Sequence, residues 1–255
     1  MRDLMNLVRG SDGRGLLLHI NNLETLTERD ASNAAEILRG LRDPMLMHPG
    51  LHVVLVGTPD AVSTVVNTHP QVRSIFTTVP IAPLGTEHVH AMLAARYEYL
   101  RYHSRRPVIP PAESGAVELM YSLYRGDLRG MLKALEDGTS ALLGLVPAAD
   151  GGGPRPMTGE DLRPVLKERY GRELDALPEQ TRVEQLRAWA EADPEAVHTQ
   201  QTLQEVWGIA QPSVSTALKY LIQQGLVVAL PREGRQPIRY VLSGTSLLIF
   251  GGSSG

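Results

Sequence analysis

The stretch GLLLHINNLE, residues 15–24, decides how this chain is read: an apolar run able to form a buried strand passes at once into two amides and a carboxylate. An apolar run bounded by polar residues is the ordinary mark of a parallel strand entering a loop. It also raises the question of what Asn21, Asn22 and Glu24 would hold. Outward from it, strand and helix alternate: LLLHI, a helix over residues 31–42, LHVVLVG, a helix over 60–67, SIFTTV, and a long helix over 86–101. That rhythm predicts a parallel sheet with helical crossovers. LHVVLVG is apolar at nearly every position, as expected of a strand covered on both faces.

The totals fit a globular chain of one large or two small domains: 255 residues, 42% hydrophobic and 21% charged. With no cysteine, disulfides, thiol nucleophiles and cysteine zinc sites are excluded, and a reducing cytoplasm is the expected compartment. His88 and His90 lie two apart on a predicted helix and point to different faces, and no HExxH occurs, so no metal site is expected. The net charge of -3 argues against a uniformly basic nucleic-acid binder, although a local patch can still bind DNA. No apolar run approaches the ~20 residues of a membrane span, and no membrane partner is expected.

Beyond Pro110 and Pro111 the alternation stops and helices take over. PAADGGGPRP, residues 147–156, cannot hold a helix and has little to bury, so the main domain boundary is expected there. Thr158 with Asp161 reads as a capping box, and an amphipathic helix is expected over 179–192. A short helix then leads to a turn at Gly208, a second helix over 212–224 stopped by Gly225, and two short strands, LVVAL and IRYVL. The tail SLLIFGGSSG receives no role.

Helix, tight turn, helix and hairpin over residues 199–243 resemble the winged helix-turn-helix modules of bacterial regulators and of initiator ATPases. The resemblance implies that the second helix enters the major groove of double-stranded DNA while the hairpin lies on the backbone or minor groove. The base readers would be Gln211, Ser213, Ser215, Thr216 and Lys219, with Tyr220 available to a phosphate or sugar, and Arg232, Arg235 and Arg239 on or beside the wing. Val214, Leu218, Leu221 and Ile222 would face the module's interior. From residue 211 to 242 there are one Lys and three Arg against one Glu, a local +3 in a negative chain. A winged helix that contacts protein is the alternative.

The first half carries a second resemblance. LLLHINNLE is similar to the Walker B segment of AAA+ and related P-loop ATPases, LHVVLVGT to the following strand that ends in a phosphate sensor, here Thr58. GDLRGMLKALE, residues 126–136, resembles the lid helix that carries a second sensor, here Arg129. Arg73, in HPQVRSIF, stands where an arginine finger often occurs, and PLGTEHVHAMLAARY resembles the first lid helix of origin-recognition-type initiators. The resemblance implies ATP and magnesium as cofactors, with Asn21, Asn22 and Thr58 near the nucleotide and Glu24, Arg73 and Arg129 in catalytic roles. Two features depart from it: Asn21 and Asn22 stand where acids are usual, leaving only Glu24 to polarise water, and no GxxxxGK[ST] is present. Glu24 also reads as a loop or helix-capping acid.

The architecture implied is α/β: a partial P-loop NTPase-type parallel sheet (1–106), an α-helical lid (107–146), a linker (147–157), a mainly α connector and winged helix (158–243) and a tail (244–255). The absent phosphate loop leads to the expectation that an amino-terminal part is missing, and that the partner is a further ATPase segment or another copy in a homo-oligomer. Three functions follow: a nucleotide-regulated DNA-binding protein of AAA+ type, a winged-helix transcriptional regulator whose ATPase remnant is a scaffold or dimerisation surface, or an interaction adaptor. Whether the chain is an ATPase is left open by the missing loop.

Overall fold

The computed structural model describes residues 15–101, 108–142, 155–230 and 236–251. The chain forms two compact units, Met1–Ile81 and Ala82–Gly255. It is mainly helical, with one two-stranded parallel sheet and a carboxyl-terminal winged-helix-like module.

In the first unit, β1 (Leu16–Ile20) pairs in parallel with β2 (Leu51–Leu55), Leu16 opposite Leu51 and Ile20 opposite Leu55. The crossover helix α1 (Glu28–Leu41) starts where the Thr27 hydroxyl accepts from Asp30 N at 3.2 Å, an N-cap that satisfies one orphan donor. It ends in a π-type turn, Arg42–Leu46, which carries Asp43 and Pro44 back toward β2. Helices α2 (Pro59–Asn67) and α3 (Pro70–Arg73) follow. Leu16, Leu18 and Val53 pack with Met45 and Leu51, while Leu55 joins Ala31, Leu38, Val65, Val66 and Val72.

Two expectations for this half fail. The face of the sheet that carries Leu17 and Val54 is open, with these side chains 64% and 42% exposed, so the LHVVLVG strand is covered on one face only. SIFTTV forms no strand. Phe76 packs on the small core of this unit, but Val79 and Ile81 are largely exposed, and Pro80 removes a donor that a ladder would need. The arrangement therefore stops at two paired strands among the described residues, and a P-loop NTPase sheet is not formed by them.

The second unit is built on one continuous core. It runs through Val89 of α4 (Thr86–Tyr99), Met120 of α5 (Ser114–Leu123), Met131 of α6 (Leu128–Leu142), Leu166 of α7 (Gly159–Asp175) and Leu186 of α8 (Gln180–Ala192). It then continues into Leu203 of α9 (Gln200–Trp207), Leu218 of α10 (Gln211–Gln223) and Leu248 of α11 (Gly244–Phe250). The helices expected to form a separate lid thus share their interior with the winged helix. The compact division falls at Ile81, not at the proline- and glycine-rich stretch 147–156, most of which lies outside the described residues. The physical reason is the fit of α6 to α7, in which Gly138 faces the end of the Leu162 side chain and the apolar residues of both helices join one core. The chain entering α7 is clasped by Glu113 N donating to Met157 O at 2.9 Å and Met157 N to Pro111 O at 2.9 Å. The expected capping box is formed, Asp161 N donating to Thr158 Oγ1 at 3.2 Å and Thr158 N to Asp161 Oδ2 at 2.9 Å.

The apolar part of the tail is a helix. Ser243 caps α11 by accepting from Ser246 N at 3.2 Å, and the buried Ser246 hydroxyl donates to Leu226 O at 2.7 Å. Leu247, Leu248 and Ile249 enter the core, and α11 packs on α5, α7, α8 and the short strand Tyr240–Leu242. A buried polar chain runs beneath it. Asp137, 5% exposed, takes Lys133 Nζ at 2.6 Å, Arg169 at 3.1 Å and the Tyr170 hydroxyl at 3.0 Å. The Tyr124 hydroxyl lies near that of Tyr170 and within hydrogen-bonding distance of Thr245 Oγ1, at 3.1 Å. Burial is the main cause that pushes both phenols above the usual tyrosine value, so both stay protonated at neutral pH.

Removing the carboxylate leaves the buried Tyr170 hydroxyl without its acceptor and takes one partner from Lys133 and from Arg169, which keeps Glu173 at 3.3 Å. Asp137→Ala is expected to lower stability by about 2 kcal/mol, and Tyr170→Phe by about 1 kcal/mol. Urea unfolding followed by the fluorescence of Trp189 and Trp207 measures both; an unchanged midpoint for Asp137→Ala would contradict the role given to this chain of bonds.

Candidate nucleic-acid interface

The carboxyl-terminal module is assembled by short-range devices. Thr199 and Thr202 cap α9 reciprocally, Thr202 N donating to Thr199 Oγ1 at 3.3 Å and Thr199 N to Thr202 Oγ1 at 2.8 Å. Gly208 ends α9 in the left-handed region, φ 62°, its N–H donating to Gln204 O at 2.9 Å. Pro212 occupies the first turn of α10, where no N–H is missed. Ser213 N and Val214 N both bond Ala210 O, at 2.9 and 3.2 Å. The turn between the helices is therefore fixed by backbone chemistry.

Helix α10 is divided cleanly between two faces. Val214, Ala217, Leu218 and Leu221 are buried, whereas Gln211, Ser213, Ser215, Thr216 and Lys219 are all exposed. The exposed set gathers amide, hydroxyl and ammonium groups along one side of the helix, the groups that pair with base edges in a groove. The Thr216 hydroxyl donates to Pro212 O at 3.0 Å, so it meets an outside group as an acceptor. Two side chains lie otherwise than expected. Tyr220 packs against the core, and its hydroxyl is buried with no hydrogen-bond partner among the described residues, so it does not reach toward a phosphate. Ile222 is 39% exposed, because it follows Leu221 round the helix and turns out of the seam.

The hairpin pairs β3 (Val227–Ala229) antiparallel to β4 (Tyr240–Leu242), Val228 opposite Val241, and Leu230 N donates to Arg239 O at 2.7 Å. Arg239 thus stands at the base of the wing, half-buried. Arg232 and Arg235 lie outside the described residues. A further strand residue, His198, joins the edge: its N–H donates to Tyr240 O at 2.9 Å and its carbonyl accepts from Tyr240 N at 2.7 Å. Its ring meets Trp189 edge to face at 5.1 Å. Burial, opposed by the charge of Asp193, holds the imidazole below its usual value. Sequence reasoning weighs the histidines only as metal ligands and misses this one, since a single bridging residue leaves no alternating pattern to find.

The residues of the ATPase resemblance fall in two places. Asn21 and Asn22 follow β1 and Thr58 follows β2, so the parallel pairing brings these exposed residues to the same end of the sheet. Asn22 adopts a left-handed conformation, φ 59°, and leads the exposed Glu24 into a short 3-10 turn, Leu23–Thr25. A Cβ on Gly57 would lie 3.2 Å from Glu24 Oε2, which puts that carboxylate beside the residue before Thr58. Arg73 is exposed at the end of α3. Arg129 belongs to the second unit, exposed in the first turn of α6, where its N–H donates to Asp127 Oδ1 at 3.0 Å. One carboxylate and two amides do not make a magnesium–triphosphate site by themselves, and no lysine precedes Lys133 in the chain.

A family model described as the MarR family matches residues 181–236, the span from α8 to the wing. Among curated proteins none matches this chain. The family match supports the winged helix-turn-helix reading and does not extend to the residues that resemble an ATPase. No helix among the described residues is long and apolar enough to cross a membrane.

Gly208 gives a clean test of the turn. A Cβ there would meet nothing within 4 Å, so Gly208→Ala adds only left-handed backbone strain, expected to cost about 1 kcal/mol. Thermal unfolding by circular dichroism would show it; a variant as stable as the wild type would mean that the turn relaxes without cost.

Proposed function

We propose that the protein is a DNA-binding regulator whose helix α10 reads the major groove of duplex DNA while the wing lies on the adjacent backbone. The observation that carries this reading is the segregation of α10. Its five candidate readers all face solvent, and its four apolar residues seat it on α8, α9 and β3. The MarR-family match over the same module supports it, as does the local excess of positive charge from residue 211 to 242. Gln211 suits adenine, Lys219 suits guanine or a phosphate, and the serines accept either role. In this reading Arg232 and Arg235 neutralise phosphates, which releases counterions and makes affinity fall with added salt.

Arg232→Ala and Arg235→Ala are each expected to weaken binding to all sequences and to reduce the salt slope by about 1. Gln211→Ala and Ser213→Ala are expected to redistribute sequence preference by about 1 to 3 kcal/mol per affected base pair. Fluorescence anisotropy against a pool of labelled duplexes, over a range of salt, measures both effects. Equal affinity of wild type and the charge variants at low salt would remove the wing from the account and favour a protein-contacting winged helix.

A nucleotide-controlled form of this function draws on one observation, the Glu24 carboxylate beside Gly57 and Thr58 at the tips of β1 and β2. In that form the nucleotide would be gripped with groups from another segment or copy, and Arg73 and Arg129 would act at its phosphates. The donor set of the present chain leads to a definite expectation: calorimetric titration with magnesium–ATP shows no measurable binding. Micromolar binding would show that these residues suffice.

A further inference from the structure

His198 touches three parts of the winged-helix module at once. Its backbone pairs twice with Tyr240 at the start of β4. Its Nδ1 lies 3.2 Å from Thr202 Oγ1 in the first turn of α9. That hydroxyl already donates to Thr199 O at 3.0 Å, so it accepts from the ring, and the imidazole proton is placed on Nδ1. Nε2 keeps the lone pair. It is closed off from solvent and meets no hydrogen-bond partner among the described residues. The ring packs edge-on against Trp189, whose Nε1 is likewise buried and unpaired, so the nearest aromatic neighbour brings a donor and no acceptor.

The charges around the ring are few. At the end of α8, Asp193 favours the protonated form, and burial outweighs it. The first turn of α9 carries Gln200, Gln201, Thr202 and Leu203, none of them ionisable, and Glu205 is exposed further along. On β4, the Tyr240 hydroxyl accepts from Gln200 Nε2 at 3.2 Å, and Arg239 stands just before it in the chain. A proton added at Nε2 therefore creates a charge and a donor with no acceptor among the described residues to receive it, a costly combination for an atom closed off from solvent.

We propose that His198 is an acid-sensitive clasp: protonation of Nε2 breaks the fit between α8, the first turn of α9 and β4, loosening the hairpin. Resting on the DNA-binding reading, the clasp makes the wing release DNA as the pH falls below neutral. The sign follows from linkage. The folded state prefers the neutral ring, so its contribution to stability is complete above the unfolded value of 6.5. It is lost as the pH falls through that value, and the loss levels off below the folded value.

The test compares the full chain with His198→Gln, which keeps a side-chain amide and cannot titrate. Between about pH 7.5 and about pH 5.5 the folding constant of the wild type is expected to fall by up to about tenfold more than that of the variant. Affinity for a labelled mixed-sequence duplex is expected to fall with it in the wild type alone. Parallel losses in the two proteins would overturn the clasp. If His198→Gln does not fold, the imidazole titration of the wild type, followed by nitrogen NMR, decides the matter: protonation of His198 below the ordinary histidine value with loss of the Tyr240 amide's exchange protection supports the proposal, and protonation at or above that value overturns it. A chain that binds no duplex at either pH overturns the DNA reading and the release step, while the unfolding ratio still decides the clasp.

Discussion

The second unit depends on a constraint at its centre: Asp137 is buried on α6 and has to be satisfied from neighbouring elements. Arg169 and Tyr170 of α7 and Lys133 of its own helix do so. Tyr124, whose hydroxyl lies near that of Tyr170, bonds Thr245 at the start of α11. A buried carboxylate is weak as a source of net stability but strict about geometry, since any arrangement that leaves it unpaired is penalised. The apolar core supplies the driving force around it, from Val89 to Leu248. Together they make the carboxyl-terminal helix a closing piece of the fold, and with it they fix β4, which immediately precedes α11.

That fixed frame explains how a short helix can serve as a reading element. Helix α10 has a proline in its first turn, no side-chain cap and a modest apolar face, so isolated it would be marginal. Seated by Val214, Leu218 and Leu221 on α8 and α9, it keeps its polar side outward without needing that side for stability. In the proposed reading, recognition and folding belong to opposite faces of the same helix, and substitutions on the outer face would alter recognition without disturbing the core. The hairpin is held less securely. Among the described residues, three residue pairs, the flanking bonds from Leu230 N to Arg239 O and from Ser243 N to Leu226 O, and the His198 bridge carry it, which makes its base the natural place for a condition-dependent contact.

Much of the local structure was legible in the sequence because its signals are local. The strand at residues 16–20, the Thr158 and Asp161 capping box, the left-handed stop at Gly208 and the division of α10 all follow from periodicity and cap chemistry. What the sequence left hidden depends on distant partners. SIFTTV has strand-like composition, but a strand needs a neighbour to pair with. SLLIF reads as a tail until Tyr124 and Leu226 are found beside it. The glycine-rich stretch at 147–156 looks like a boundary because it cannot fold by itself, yet the helices flanking it bury their apolar faces against each other. Tyr220 and Ile222 exchange their expected places because the buried side of the helix takes in Tyr220 and leaves Ile222 at its open edge. The ATPase resemblance rests on five short segments, of which the end of the two-stranded sheet holds two, while α4 and α6 of the other unit carry two more.

The account's central claim is that α10 and the wing form the surface that meets duplex DNA, on a unit whose interior stays closed. Hydrogen–deuterium exchange of the full chain with and without saturating duplex tests it most directly. The account predicts slowed exchange from residue 211 to 219 and across the hairpin, with α4 to α7 and α11 unchanged. Protection confined to the first unit, or to α4 to α7 with none on α10, would contradict it.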